Sequence, residues 1–268
     1  MITHGKPATI GPALERLEKV AREAHVELLL PAEEVEKHGI LAADDDVATA
    51  DVAVVLGGDG TMLRALHRFL GTDVPVIGVN FGRVGFLASI QSDEFEPSLA
   101  RVFAGDYRVI PLPTLDVEAG GVNGSGVNDV VVLSSVRGRM VELGWALGGE
   151  DLGVQPCDGM ICATSSGSTA YNLSNGGPVL VRGLDAMAVT FIAPHSLHAR
   201  PMVVPRGLAL EIRNETADVG VTVLVDGHIV AELNGATPIT IALGERRSLL
   251  AVLPEATFFR RYRETFGS

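Results

Sequence analysis

The sequence predicts an α/β domain on a Rossmann-like parallel sheet, followed by an all-β, sandwich-like domain. Three observations carry that expectation. Residues 1–105 alternate β-branched apolar runs with helix-period segments, the grammar of a parallel sheet covered on both faces. From about residue 107 short runs of β-formers follow one another, separated by Gly, Asn, Pro and Asp, as in antiparallel sandwiches. Between these patterns, the run 52–56 ends in LGGDGT and a helical pattern begins at Met62, so a strand stops in a glycine-rich turn and feeds a helix. The expected boundaries are 1–108 for the α/β domain, 109–253 for the β-rich domain, and 254–268 for a helical tail packing back on the first.

Residues 1–3 are an apolar stub before His4-Gly5-Lys6-Pro7. Leu14, Leu17, Val20, Ala21 and Ala24 recur at intervals of three and four, predicting an amphipathic helix over 12–24. Runs 25–30, 52–56 and 74–79 read as strands. Parallel sheets bind ligands in the loops after the carboxyl ends of their strands. LGGDGT holds that position, and so does NFGRVGFLASI after Val79, so both loops should face one crevice. Residues 93–104 read as a helix, with Asp93 and Glu96 as its capping box and Gly105 as its stop.

In the second part, strands are expected at 114–119, 126–133, 140–147, 160–163, 188–192, 208–212, 221–225, 229–233, 239–242 and 249–252. Asp226-Gly227 between two of these is a hairpin signal. Phe258, Phe259, Tyr262 and Phe266 fall at helical spacing, making 257–266 a helix with a docking aromatic face.

Composition narrows the function classes. The chain has 268 residues, 47% of them hydrophobic and 20% charged, and no apolar run approaches the roughly 18 residues of a membrane span. No basic segment followed by an apolar one opens the chain, so cytoplasmic residence is expected. Cys157 and Cys162 lack a second pair and read as small buried hydrophobes. The formal net charge of −12 disfavours nucleic acid as a partner, yet a local cradle of N–H groups would still take an anion. His4, His25, His38, His67, His195, His198 and His228 show no ligand spacing, so no protein-built metal site is expected.

Three stretches carry chemistry. Gly57, Gly58 and Gly60 let the backbone approach a ligand, and a helix amino end at that turn suits phosphate. Asp59 in such an anion-binding turn is costly unless it binds a cation or takes a hydroxyl proton, so it is the candidate base; a plain helix N-cap is the alternative. The run 158–178, DGMICATSSGSTAYNLSNGGP, is dense in hydroxyls, small residues and glycines. It can form a hydrogen-bonding wall for a ribose or amide, although such runs also make ordinary turns. Asn128-Asp129 places an amide and a carboxylate side by side on an apolar strand, where they must face opposite ways and at least one points inward, for which ribose hydroxyls would be suitable partners; a turn at the strand edge is the alternative.

LGGDGTML, PVIGVNFGRVGFLA, VNDVVV, the DG…TSSGSTAYNLSNGGP run and PHSLHARPMVVP occur in an order and spacing that resembles NAD kinases, closely over residues 51–206 and loosely outside them. Diacylglycerol kinases, sphingosine kinases and phosphofructokinases have similar GGDGT loops; the GSTAY run with GGP separates NAD kinases from them. The resemblance implies an α/β plus β-sandwich fold of the NAD kinase/diacylglycerol kinase type. It further implies transfer of the ATP γ-phosphate, or that of polyphosphate, to the 2′-hydroxyl of the adenosine ribose of NAD, with Mg²⁺ or another divalent cation accompanying ATP. Asp59 matches the aspartate that accepts the hydroxyl proton. Gly57, Gly58, Gly60 and Thr61 match the phosphate cradle, Arg64 and Arg139 match basic positions near the dinucleotide, and Phe86 would line the adenosine pocket. Asn128 and Asp129 match a ribose-holding pair. Asp158, Ser166, Thr169, Ala170, Tyr171, Asn172, Leu173 and Ser174 match the NAD-contacting wall, and His228 stands where the family often has Gln.

The implied partners are NAD and ATP or polyphosphate, with no nucleic acid or membrane, in a homodimer or homotetramer. Departures are Ser165 and Ser166 in place of Pro and Thr, Pro156 in place of a basic residue, and a short first strand. His195 and Arg200 lie in a matching segment and would shape the second domain. Two alternatives remain: a lipid kinase sharing the loop, and a catalytically silent NAD(P)-binding protein.

Overall fold

The computed structural model describes residues 1–3, 7–38, 49–81 and 85–267. His4 and residues 82–84 of the second glycine-rich loop lie outside them. The chain divides into two compact units, residues 1–111 with 248–268, and residues 112–247. Among the described residues no helix is long and apolar enough to cross a membrane.

The first unit is a parallel α/β layer. Strands β1 (Ile2–Thr3), β2 (Ala53–Leu56), β3 (Val76–Asn80) and β4 (Ile90–Gln91) run parallel. Helices α1 (Pro7–Glu23), α2 (Ala32–His38), α3 (Asp59–Arg68) and α4 (Phe95–Phe103) are interleaved with them. Leu14, Leu17 and Val20 of α1 and Phe95, Leu99 and Val102 of α4 close over Val54, Leu56, Ile77 and Val79 in one core. Arg16 ties the two helices, donating to both carboxylate oxygens of Glu96 at 2.6 Å with its guanidinium over the Phe95 ring. The expected capping box is therefore absent: α4 starts after a 3₁₀ turn over Ser92–Glu94 with no side-chain cap, and Glu96 is spent on Arg16. Gly105, at φ +81°, ends the helix as expected.

Two more expectations need correction here. The first helix begins at Pro7, a residue suited to a first turn, and Pro12 stands inside it. Residues 25–30 form no strand. Val26 N–H donates to Ala21 O and His25 N–H to Arg22 O with His25 at φ +56°, a Schellman cap, and a two-residue β1 offers little ladder to extend. Leu28 and Leu30 still pack inward.

The second unit is an antiparallel sandwich. One sheet runs β12 (Met202–Pro205), β11 (Ala186–Ile192), β10 (Gly159–Ala163), β7 (Asp129–Ser134), β14 (Val221–Val225), β15 (His228–Leu233). The other strands are β5 (Arg108–Ala119), hairpinned to β6 (Val122–Gly126), and β16 (Ile239–Val252), β13 (Leu210–Asn214), β8 (Val141–Leu147) and β9 (Glu150–Cys157), with residues 108–111 of β5 and 248–252 of β16 counted in the first unit. Val130, Val132, Met160, Cys162, Val189 and Val223 face Leu115, Leu143, Leu210, Ile212, Ile239 and Ile241 across the core. On the opposite face Val131, Ile161, Ala163 and Ala188 are also buried, with Leu180 over them, so β7 and β10 are covered on both sides. Both cysteines are free and buried.

The strand expected over 126–133 breaks into β6 and β7 at Val127 and Asn128, because the N–H groups of Val127, Asn128 and Asp129 turn to the Asp226 carboxylate. The strands expected at 239–242 and 249–252 are one, β16, whose polar middle is satisfied: Arg247 donates twice to Asp185, and Thr114 donates to Arg246 O. Strands β6, β9 and β12 were not anticipated, although Gly148 and Gly149 at φ +59° and +87° make the β8–β9 turn that two adjacent glycines favour. The last helix, α6 (Phe258–Phe266), is capped by Thr257, whose hydroxyl accepts from Arg260 N–H at 3.1 Å.

Candidate active site

In the first unit, β2 ends at Leu56, Gly57 N–H still bonds Val79 O, and Gly58 turns the chain into α3. The helix begins at Asp59, three residues before the sequence pattern suggested, so Asp59 is its first residue and Gly58 its N-cap. A Cβ on Gly57 would stand 2.6 Å from Thr61 Oγ1, so this turn admits only glycine. Asp59 and Gly58 are half-buried, Thr61 is buried and Gly60 is exposed. An anion at this helix end would meet free N–H groups and the positive end of the helix dipole.

The Asp59 carboxylate is held by the second loop. Phe86 N–H donates to Oδ2 at 2.7 Å, and Leu87 N–H and Ala88 N–H donate to Oδ1 at 3.1 and 3.3 Å. A Cβ on Gly85 would lie 2.2 Å from Oδ1, so the close approach requires glycine. A carboxylate has about four acceptor positions, and among the described residues three amides leave one open. Thus the two loops, expected to share a crevice, do meet at Asp59. Phe86 stacks on Phe266 at 5.7 Å between centroids and lies 6.2 Å from Phe258. Arg64 is exposed, reaching Thr3 O at 3.4 Å.

In the second unit a turn is built around Asn128 and Asp129. Thr164 is its hub: its N–H donates to Asn128 O, and its hydroxyl donates to Val127 O at 2.6 Å while Thr164 Oγ1 accepts from Ser166 and Gly167 N–H. Gly167 packs so tightly that a Cβ would fall 2.0 Å from Asn128 O. Asp226, at φ +48°, receives the three amides of 127–129. Asn128 Oδ1 and Ser166 Oγ are buried without a hydrogen-bond partner among the described residues. An unmet polar atom costs about 1–3 kcal/mol, a cost that a hydroxyl-bearing ligand would relieve. Burial, and secondarily the Asp226 charge, push the Asp129 carboxyl up to about 7. His228 is exposed at the start of β15, opposite Val225, which itself pairs with Val130, so it lies at this same end of the sheet.

The rest of the polar run splits by role. Thr169 donates to Ser166 O, and Ala170 N–H donates to Gly167 O. The short helix α5 (Tyr171–Ser174) follows, with Tyr171 and Ser174 exposed and Leu173 half-buried. Asn172 is fully buried, donating to Ser168 O and Pro178 O and accepting from Thr190; its side chain is committed to holding the run together.

Asp158 and Arg139 are not brought to this turn. Asp158 is exposed at the far end of β10, where Gly159 pairs with Leu133, whereas Ala163 pairs with Asp129. Six residue steps of about 3.3 Å each put roughly 20 Å between Asp158 and Thr164. Arg139 lies beyond Ser134 on that far side, paired to Asp218 at 2.9 Å. Sequence reasoning missed the carboxylate role of Asp226, read only as a hairpin residue, and the hub role of Thr164. Among the described residues no group of three His, Cys, Asp or Glu could hold a metal ion.

Comparison with known proteins gives the family. The ATP-NAD kinase N-terminal domain matches residues 17–107 and the ATP-NAD kinase C-terminal domain residues 127–252. The NAD kinase of Gemmatimonas aurantiaca is 33% identical over 225 residues, spanning 81% of this chain and 77% of its own. That of Heliobacterium modesticaldum is 36% identical over 225 residues, spanning 82% and 80%. Among solved structures, an NAD kinase from Archaeoglobus fulgidus in complex with ATP has a TM-score of 0.75 at 28% identity, covering 95% of this chain and 93% of that one. Yeast NADH kinase complexed with NADH has a TM-score of 0.85 at 22% identity, covering 99% and 86%, a likeness of fold. With both domains matched in order and relatives of this similarity spanning most of its length, the chain belongs to the NAD kinase family.

Proposed function

We propose that this protein is an NAD kinase that binds ATP and NAD and transfers the γ-phosphoryl group to the 2′-hydroxyl of the adenosine ribose, giving NADP. The observation that carries the mechanism is Asp59, the first residue of α3, held by three backbone amides with one acceptor position to spare. That position would take the hydroxyl proton as the oxygen attacks phosphorus. Phosphoryl transfer depends mainly on positioning and charge stabilisation, and the N–H groups of Gly58, Asp59 and Gly60 at this turn would face the phosphates. The orphaned oxygens of Asn128 and Ser166, with Asp129 beside them, would hold a ribose; Thr169 to Ser174 would flank it. Phe86, Arg64 and His228 would be further contacts of the dinucleotide.

Mg²⁺ or another divalent cation belongs to this reading as the ion that neutralises phosphate charge. It would arrive on the triphosphate, as Mg²⁺ commonly does. A homo-oligomer belongs to this reading as well.

A coupled NADP assay offering NAD or NADH with ATP or polyphosphate separately, with and without Mg²⁺, tests the reading. NADP formation dependent on ATP and NAD is expected. Phosphorylation of diacylglycerol or a sphingoid base with NAD ignored would favour the lipid kinase, and calorimetric binding of NAD without turnover would favour a silent binder.

A further inference from the structure

The loop that holds Asp59 is itself gripped. Its three donating amides belong to Phe86, Leu87 and Ala88. The ring of the first meets Phe258 and Phe266 of α6, and the carbonyl of the last accepts from Arg261 Nη2 at 3.2 Å. Arg261 is well covered, with 12% of its side chain exposed, and Glu264 stands 3.5 Å from its other nitrogen. Tyr262 braces the rings of Phe258 and Phe266 at 6.3 and 5.0 Å. All of these residues lie in one compact unit.

We propose that α6 is a clasp that sets the position of the Asp59 carboxylate, with Arg261 and Phe266 as positioning residues for phosphoryl transfer. The inference rests on Asp59 being the base. Asp59 is fixed at its backbone by the start of α3, but its carboxylate is oriented by amides that belong to another loop. On its carboxyl side the segment is anchored by β3, where Ser89 N–H bonds Gly78 O and Ile90 pairs with Val79; on its outer side its register over Asp59 is set where α6 meets Phe86 and Ala88. Aromatic contacts at these distances and one charged hydrogen bond hold both ends of the three-amide segment. A misplacement of about 1 Å at a reacting group is enough to cost a large factor in rate. The sequence suggested that the aromatic face of α6 docks; it gave no reason to expect it on the loop that binds the catalytic carboxylate.

The test uses the full chain and four measurements: kcat, KM for NAD and ATP, melting temperature, and amide exchange at residues 86–88. Arg261→Gln combined with Phe266→Leu should lower kcat about tenfold, with both KM values within about twofold, the melting temperature within about 3 °C, and faster exchange at the three amides. Arg261→Lys, which keeps a donor, should recover part of the loss. Because the clasp acts through one carboxylate, the same changes in an Asp59→Asn background should lower turnover no further. Wild-type kcat and exchange in the clasp variants, with Asp59→Asn inactive, overturns the inference. So do losses that multiply with Asp59→Asn, or KM and melting temperature moving together with kcat. If Asp59→Asn alone turns over like the wild type, the base assignment fails instead, and unchanged exchange at 86–88 would remove the clasp with it.

Discussion

Asp226 Oδ1 accepts the backbone N–H of Asp129 at 3.1 Å, so two carboxylates are built into one turn under opposite conditions. Asp226 is stabilised by three amides, whereas Asp129 is 7% exposed and is pushed up to about 7 from the ordinary 3.8, by burial first and by Asp226 second. The folded protein therefore holds a proton between about pH 4 and 7 that the unfolded chain has released. In that window the unfolded state binds fewer protons, so stability falls as pH rises. The full contribution, on the order of a few kcal/mol, is present below pH 4 and lost above 7. Asp129→Asn should abolish this part of the slope and be the more stable protein at pH 8, as read from denaturant midpoints at pH 5 and 8. Equal slopes in the two proteins would contradict the assignment.

Replacing Asp59 separates chemistry from architecture. Asp59→Asn offers one oxygen where the wild type offers two, and its NH₂ would face an N–H of the loop, so about 1 kcal/mol of stability should go with the lost bond. NADP formation should fall by on the order of 10²-fold or more, the scale of lost general-base catalysis. Circular dichroism should match the wild type. Near-normal turnover in a folded variant excludes Asp59 as the base.

Gly85 supplies a steric counterpart. An added Cβ would sit 2.2–2.4 Å from all three carboxyl atoms of Asp59, so Gly85→Ala must displace either the carboxylate or the loop. The carboxylate can swing, so the expected outcome is a folded protein with kcat lowered at least tenfold. The control is Gly60→Ala, where nothing lies within 4 Å of the added methyl; its melting temperature should equal that of Gly85→Ala within a few degrees.

What the sequence revealed and what it hid divide along sequence distance. The strand, glycine turn and helix over 53–68 were legible because hydrophobic period and turn chemistry are local signals. The α/β-then-β order and the Asp226-Gly227 hairpin were legible for the same reason. Asp226 as receiver of the 127–129 amides was not, since its partners lie 97 to 99 residues away. That contact also explains the false reading of 126–133 as one strand: apolar alternation continues through Val127, while the backbone there turns toward a carboxylate. Residues 25–30 misled in the opposite sense, carrying β-formers that bury their side chains without finding a ladder. Asp158 reads as part of one polar run with Ser166, yet β10 carries the chain the length of a strand between them.

Asn172 makes the strongest stability prediction because nothing about its side chain is left for solvent. It donates to Ser168 O at 3.1 Å and to Pro178 O at 3.0 Å, and accepts from Thr190 Oγ1 at 2.7 Å. A Cβ on Gly177 would come within 2.0 Å of its Oδ1, so the chain wraps closely around it. Asn172→Leu roughly conserves volume but strands two carbonyls and a hydroxyl in a buried site, each at about 1–3 kcal/mol where no water enters. Unfolding free energy should fall by about 2–4 kcal/mol. Thr190→Val removes only the hydroxyl and leaves the two amide donations intact, so it should cost about 1 kcal/mol. The double variant Asn172→Leu/Thr190→Val should then be less than additive by about 1 kcal/mol, because the leucine no longer strands a hydroxyl. Strict additivity would mean that the Asn172–Thr190 hydrogen bond contributes nothing to stability.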